Sequence, residues 1–387
     1  MKKPLEGYRI ADFSHVMAGP YATHLLRLLG AEVIKIEPPA GDAFRGYRGD
    51  VSVDGMSPAF VAANAGKRSI ALDLKDAGDR RIAWSIIERC DVMIENFRPG
   101  VINRLGFGYD DVRARNDSIV FCSVSGYGQE GPCRDWPAID NIVQATSGMM
   151  MLGGAQGDPP VRVGFPIVDT LTGQTAAIAI LSALLRREQG GGGSYIDVSM
   201  LEASLAFMTS ALTPFLLTGE ELPRSGNTGY SGLPTAALFT TRDQRQISLG
   251  VVQPKQFAAL ASYLGREDWL SDARFSTPEA QRSNFDALRE QVGSELAKKD
   301  AAELEREMSE RGIPCGMVRR VSEAAGLAGD GALHQLALPS APAAGKAAIP
   351  NAGFRMIPAG PEIHEGAPRL DADREEILAW LAETVVS

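Results

Sequence analysis

Histidine and cysteine are scarce, with four of each in 387 residues. Cys90, Cys122, Cys133 and Cys315 show no CxxC spacing, and each lies in or beside an apolar segment. They read as buried free thiols, with no disulfide frame and no zinc site. His15, His24, His334 and His364 are equally scattered, so no metal-ligand constellation is visible. No run of about 18 apolar residues occurs and the N-terminus carries no leader pattern, so a cytoplasmic protein without a membrane partner is expected. Excess positive charge is missing as well. A net charge of −9 and a pI near 5.2 argue against a nucleic-acid partner, and any polyanionic ligand must meet a local basic patch. The turn after the first strand, "SHVMAGP", lacks GxGxxG, and GxxxxGK[ST] and GxSxG occur nowhere, which removes the usual signals for a dinucleotide at that turn, a P-loop nucleotide and a serine elbow. A carboxylate nucleophile survives that elimination.

Apolar residues at 44% and charged residues at 22% describe an ordinary globular chain, too long for a single common core. "GYRIADFSHVMAGPYATHLLRLLGAEVIKIEPP" reads as strand, turn, helix and strand, and the pattern recurs through "DAGDRRIAWSIIERC", "DVMIENF" and "SIVFCSVSGYG". A mostly parallel α/β sheet follows. A helix is expected from Asp169 to about Arg187, then a tight turn at "QGGGGS", the strand "YIDVSM", and one more helix through "LEASLAFMTSALTPFLLTGE" that is buried on most sides. Composition shifts near 220–232, and a hairpin followed by helices gives a smaller α+β unit. The expected division is a large domain over 1–220, the small unit over 221–325 and a return to the large domain over 326–387.

Two stretches carry candidate chemistry. In "ENFRPG" a strand ends at Asn96, Arg98 adds charge, and Pro99 suits the first position of a helix whose amides face the same way, so an anion site is one reading. Arg104, Lys67, Arg68 and Lys75 would reinforce it; solvated surface charge is the other reading of each. In "VGFPIVDTLTG" Asp169 reads as the N-cap of the long helix, with Thr172 leaving no capping box.

These stretches, with "ADFSHVMAGPYATHLLRLLGAEVIKIEPPAGD", "NAGKRSIALDLK", "SVSGYGQEGP" and "RGIPCGMV", resemble the class III CoA-transferases. That family is the carnitine-dehydratase and bile-acid-inducible type, with formyl-CoA transferases and α-methylacyl-CoA racemases among its members. The resemblance implies a Rossmann-like large domain with an inserted small domain, paired as an interlocked-ring homodimer. It implies a coenzyme A thioester and a small carboxylic acid as substrates, and no tightly bound cofactor. Asp169 matches the family's catalytic aspartate, which passes through an acyl anhydride and an aspartyl-CoA thioester. On this reading a helix N-terminus holds Asp169 ionised at neutral pH. By the same correspondence CoA lies against Val16, Ala18, Leu72, Lys75, Asn96, Phe97, Arg98 and Arg104, with Trp136 and Ile139 toward the pantetheine or acyl end. Asp140 matches an acidic position near the nucleophile, where it either orients or caps. Gly226, Gly229 and Gly232 are candidate pivots of a reduced cover.

Departures narrow the expectation. Met17 stands where formyl-CoA transferase has a glutamine, which weighs against formyl-CoA and oxalate; a small dicarboxylate remains the expected acid. A racemase needs a histidine partner for proton exchange, and none lies between His24 and His334. A non-catalytic acyl-CoA-binding relative is the remaining alternative.

Overall fold

The computed structural model describes residues 2–47, 52–337 and 347–383. The chain forms two compact units, one from Met1–Met149, Arg162–Thr218 and Gly329–Ser387, the other from Met150–Val161 and Gly219–Ala328. Residues 338–346, within an Ala- and Pro-rich passage of the sequence, lie outside the described residues.

In chain order the first unit runs β1 (Arg9–Asp12), α1 (Ala18–Leu28), β2 (Glu32–Glu37), α2 (Pro58–Asn64), β3 (Arg68–Ala71), α3 (Ala77–Ile87), β4 (Val92–Glu95), α4 (Val101–Arg104), α5 (Tyr109–Arg115), β5 (Val120–Ser125), α6 (Asp140–Thr146), α7 (Ile167–Arg186), β6 (Ser194–Ser199), α8 (Met200–Phe207) and α9 (Thr209–Thr218). These six strands make one sheet in the order β3-β2-β1-β4-β5-β6, with every pairing parallel. This is the doubly wound order, and it reverses direction between β1 and β4.

Helices cover both faces, so the strands read as near-continuous apolar runs. Ile10, Val92, Ile94, Val120 and Val124 point to the face carrying Ala22 and Leu26 of α1 and Ile180 and Leu184 of α7. Their neighbours Ala11, Met93 and Phe121 point to the opposite face, against Ile86 and Ile87 of α3. The period of two along each strand thus sorts one apolar run into two cores. Cys90 and Cys122 are buried, Cys133 and Cys315 half-buried, and all four are free.

Helix α7 with its continuation to Gly191 is long and apolar enough to cross a membrane by length and composition, yet half of that apolar window is buried in the molecule. The glycine run closes it as expected: Gly190 and Gly192 take positive φ, and β6 starts at Ser194.

The second unit holds β7 (Leu238–Thr240), β8 (Gln246–Leu249), α10 (Pro254–Tyr263), α11 (Pro278–Ser283), α12 (Phe285–Leu296), α13 (Ala301–Glu310), β9 (Cys315–Met317) and α14 (Val321–Ala325). Its antiparallel sheet β7-β8-β9 packs on a core that includes Trp269, Phe275, Leu288 and Leu304. The chain then returns to the first unit through β10 (Leu333–Leu336), β11 (Ala347–Pro350) and α15 (Arg374–Ala382), whose Ile377 joins the core behind α3.

Two expectations fail. The helix read from Pro99 starts at Val101, because Gly100 in the left-handed region (φ 78°) takes the N-cap position and leaves Pro99 outside. The single helix after β6 is two helices bent by 81°, and no residue of α9 is buried. Pro214 lies inside α9, and Phe215, Leu216 and Leu217 are exposed.

The approach of α7 to α1 depends on Gly173, where an added Cβ would lie 2.7 Å from the Ala18 carbonyl oxygen and 3.1 Å from the Tyr21 ring. Alanine raises intrinsic helix stability by up to about 1 kcal/mol, but a rigid backbone oxygen cannot step aside. We expect Gly173→Ala to lower unfolding free energy by roughly 1–3 kcal/mol, as overpacking does; denaturant melts read the sign directly, and a gain would show that the helices separate freely.

Candidate active site

Ligands of open parallel sheets bind beyond the carboxyl ends of the strands, at the point where strand order reverses. Here that point lies between β1 and β4, and the turns after these two strands are tied together. The His15 N–H donates to Asn96 Oδ1 (2.7 Å), and Asn96 Nδ2 donates back to the His15 carbonyl (2.8 Å). The Val16 N–H donates to the buried Asp42 carboxylate at 3.1 Å, which holds Val16 at φ 66°, a strained value for a β-branched residue. Lys35 Nζ completes the clamp, donating to the Ser14 carbonyl (2.8 Å) and pairing with Asp42 (3.1 Å). Val16 is exposed, while Ala18 is buried at the start of α1.

The other CoA candidates follow the same strand ends with unequal roles. The Leu72 side chain is buried in the core, so only its backbone faces outward chemistry; Lys75 and Arg98 are exposed, and Asn96 and Phe97 half-buried. Lys67 does not join an anion site. Its ammonium is fully buried and pairs with Asp12 at 3.0 Å; burial, with the like charge of Lys35 and only partly offset by the Asp12 carboxylate, leaves its pKa lowered to about 8. Arg68 is likewise held, by Glu32 and Glu376.

A contact that the sequence reading missed takes their place. Above Gly100, a Cβ would come within 3.3 Å of Arg104 Nη1 and 3.6 Å of Arg134 Nη2, so two guanidiniums converge there. Among the described residues neither Arg98 nor Arg104 forms an ion pair, Arg134 reaches only Asp135 at 3.9 Å, and the buried Arg134 Nε has no partner. Like charges gathered with only this one long carboxylate contact suit a phosphate. Nothing in "CRDWP" signals this, because the convergence is made by two turns about thirty residues apart.

After β5 the chain passes the exposed Trp136, whose ring meets Tyr127 edge-on at 5.8 Å, and the exposed Ile139, which precedes α6 as its N-cap. Asp140, half-buried at the first position of α6, turns one oxygen toward α7. Its Oδ2 accepts from the N–H groups of Val168 (2.7 Å) and Asp169 (3.1 Å). Its Oδ1 accepts from Nε2 of Gln144 at 2.6 Å.

Asp169 therefore is not the N-cap. Pro166 takes that position without a side-chain bond, and Asp169 sits at the third residue of α7. The capping carboxylate comes from another helix: Asp140 caps the start of α7, while Ile139 is the N-cap of its own helix. Among the described residues no hydrogen-bond donor reaches the Asp169 carboxylate. Burial first, and the Asp140 charge second, push it up to about 7, which overturns the expectation of a carboxylate fully ionised by the helix end. Among the described residues no three histidine, cysteine or acidic side chains gather as a metal site. Gly226, Gly229 and Gly232 belong to the second unit; Gly226 and Gly232 take positive φ, while Gly229 is bonded to the Ala236 carbonyl at 2.7 Å.

The raised acidity constant has a stability consequence of definite sign. Between the ordinary carboxylate value near 4 and about 7 the native state keeps a proton that the unfolded chain has lost, so stability falls across that window and stays lowered above it. Asp169→Asn removes the ionisable group. We expect it to exceed the parent at pH 8 by on the order of 1–2 kcal/mol, discounted for partial exposure, and to match it near pH 4; paired thermal melts at both pH values check this.

Comparison with known proteins agrees with this geometry. The family model for CoA-transferase family III matches residues 5–374. Acetyl-CoA:oxalate CoA-transferase of Acetobacter aceti is 37% identical over 381 residues, covering 96% of this chain and 94% of that protein. Succinyl-CoA:glutarate CoA-transferase of Mus musculus is 35% identical over 322 residues, covering 83% and 73%. Among solved structures, a CAIB/BAIF family protein from Brucella suis superposes with a TM-score of 0.88 at 26% identity, over 98% of this chain and 100% of that one. The match over nearly the whole length, with relatives named as CoA-transferases, shows that the chain belongs to CoA-transferase family III.

Proposed function

We propose that this CoA-transferase carries CoA from an acyl-CoA donor to a small dicarboxylic acid, with Asp169 as the nucleophile. The observation that carries the reading is the Asp169 carboxylate itself, half-buried, without a hydrogen-bond donor, and beside a cap that another residue supplies. One Asp169 oxygen attacks the thioester carbon, and the C–S bond breaks to give an anhydride and CoA thiolate. The thiolate then attacks the aspartyl carbonyl, releasing the donor acid and leaving an aspartyl-CoA thioester. The acceptor carboxylate attacks this thioester and expels the thiolate again. Attack of the thiolate on the acceptor's acyl carbon forms the new acyl-CoA and restores Asp169. Acyl activation is conserved at every step, so neither ATP nor a tightly bound cofactor is called for.

The phosphates of CoA are assigned to the turn of Arg98, Arg104 and Arg134, and its chain to the path past Val16, Asn96 and Phe97 toward Trp136 and Ile139. An acceptor of the oxalate or glutarate class is supported by the names of the relatives, although Met17 replaces the glutamine expected for formyl-CoA chemistry. A racemase has less support: Ala138 and Ile139 precede Asp140, so no histidine stands at that turn.

We infer a homodimer. Its support is the exposed apolar set of Ile178 and Leu185 on α7 and Phe207, Phe215, Leu216 and Leu217 on α8 and α9, more than an isolated chain usually leaves in water. Light scattering on the eluting protein should give the mass of two chains; the mass of one would remove the assembly.

The chemical reading is tested by incubating the enzyme with acyl-CoA and hydroxylamine. A hydroxamate on the peptide that holds Asp169 is expected, and Asp169→Ala should give no adduct and lose roughly a thousandfold or more in kcat. The parent's kcat/KM should rise with pH and level off above about 7, since only the ionised carboxylate attacks. Full turnover by Asp169→Ala would remove the nucleophile.

A further inference from the structure

We propose that Gln144 is a positioning residue for this reaction, one that holds Asp140 in place against the first turn of α7 and so controls how exposed Asp169 is to the amides of its own helix. The proposal rests on the assignment of Asp169 made above, and no part of that assignment uses Gln144.

Gln144 is fully buried, four residues after Asp140 on the same face of α6. Its Nε2 donates to Asp140 Oδ1 (2.6 Å), and its Oε1 accepts from the Val163 N–H (2.9 Å). The two neighbours fix which way the amide faces. A flipped amide would set its oxygen against a carboxylate and its NH2 against an N–H, so both contacts would turn repulsive. Val163 lies on the segment that leads into α7, three residues before the N-cap Pro166. One buried amide therefore ties together the approach to α7, the acid on α6 and, through that acid, the amides of Val168 and Asp169.

The consequence concerns charge. Without a fixed Asp140, the free N–H groups at the start of α7 would face Asp169 and favour its anion, lowering both its proton affinity and its strength as a nucleophile. With Asp140 held in place, those donors are taken up, and a second negative charge stands beside Asp169. The other titratable side chains on elements packed against α7 are Tyr21, His24 and Arg27 on α1, Cys122 on β5, Arg187 and Glu188 on the continuation of α7, Tyr195 and Asp197 on β6 and Glu202 on α8. None of these acts on Asp169, whose upward displacement comes from burial and from Asp140.

The test uses the full-length enzyme with three substitutions. Gln144→Met keeps the volume and removes both hydrogen bonds. It should lower kcat roughly tenfold to hundredfold, as small displacements of reacting groups do, and leave KM for acyl-CoA within about twofold. The ascending limb of its pH profile should move down by about one unit, as donors are returned to Asp169. Gln144→Glu gives an internal rescue. Protonated, the new carboxyl can still donate to Asp140 and accept from Val163; ionised, it repels Asp140. Its activity relative to the parent should therefore fall steadily from pH 5.5 to pH 8. A parental kcat and pH profile in Gln144→Met, whatever its melting temperature, would overturn the proposal. If that variant does not fold, the pH course of Gln144→Glu decides: a falling ratio supports the proposal and a flat one ends it. Asp169→Ala, measured alongside, separates the two levels. Turnover by that variant would remove the nucleophile itself, whereas an inactive Asp169→Ala with an indifferent Gln144→Met would remove only the positioning role.

Discussion

The site depends on one hydrogen-bonded contact, the Asp140 carboxylate accepting from the first amides of α7. A helix start is a region of partial positive charge with unpaired donors, and any acid within its first turn ordinarily competes for them. Here the competition is settled by a carboxylate from a different helix. Asp169 is left in the first turn with its charge unassisted, and its proton is held more tightly than in a free carboxylic acid. Capping and the proposed reactivity, which the sequence reading placed on one residue, are divided between two.

That division requires α6 and α7 to keep their relative placement, and the sheet supplies it. α7 lies along the apolar face of β4, β5 and β6 and against α1, with Gly173 allowing contact at backbone distance. The same α1 begins at the turn that Asn96, Asp42 and Lys35 clamp. The helix that carries the acid and the turn of the proposed CoA track are thus both packed at the N-terminal half of α1. The buried contacts of α1 with the sheet and with α7 hold it in place.

Much of this was legible beforehand because it follows from local periodicity. The βαβ rhythm, the parallel sheet, the helix after residue 166 and the glycine turn before β6 all come from residues adjacent in sequence. Asp169 stood out through family resemblance, since an aspartate near a helix start is by itself the commonest of caps. What the sequence could not show was long-range pairing. Asp140 caps a helix 28 residues away, Gln144 bonds a backbone amide 19 residues away, and Arg134 joins Arg104 across a turn. The reading of Lys67 as a ligand contact failed for the same reason: its partner Asp12 lies 55 residues earlier. The two helices read as one, α8 and α9, show a further limit, because apolar composition set an expectation of burial that the described chain does not meet.

The proton affinity of Asp169 also bears on whether the proposed exchange can run in both directions. When a carboxylate attacks a thioester, the tetrahedral intermediate expels the weaker base more readily. An ordinary aspartate near 4 faces a thiolate whose conjugate thiol lies near 8.5, a gap of more than about four units that favours return to reactants. With Asp169 pushed up to about 7, the gap narrows to less than about two units. The cost is small, since half of the groups are still ionised at that pH. A stronger displacement would empty the ionised form, and a weaker one would restore the imbalance, so a value near neutrality suits a catalyst that must form and break bonds to sulfur with equal ease. An acid held this way needs a neighbouring carboxylate whose oxygens already accept the nearby donors, which is the arrangement that α6 presents to α7.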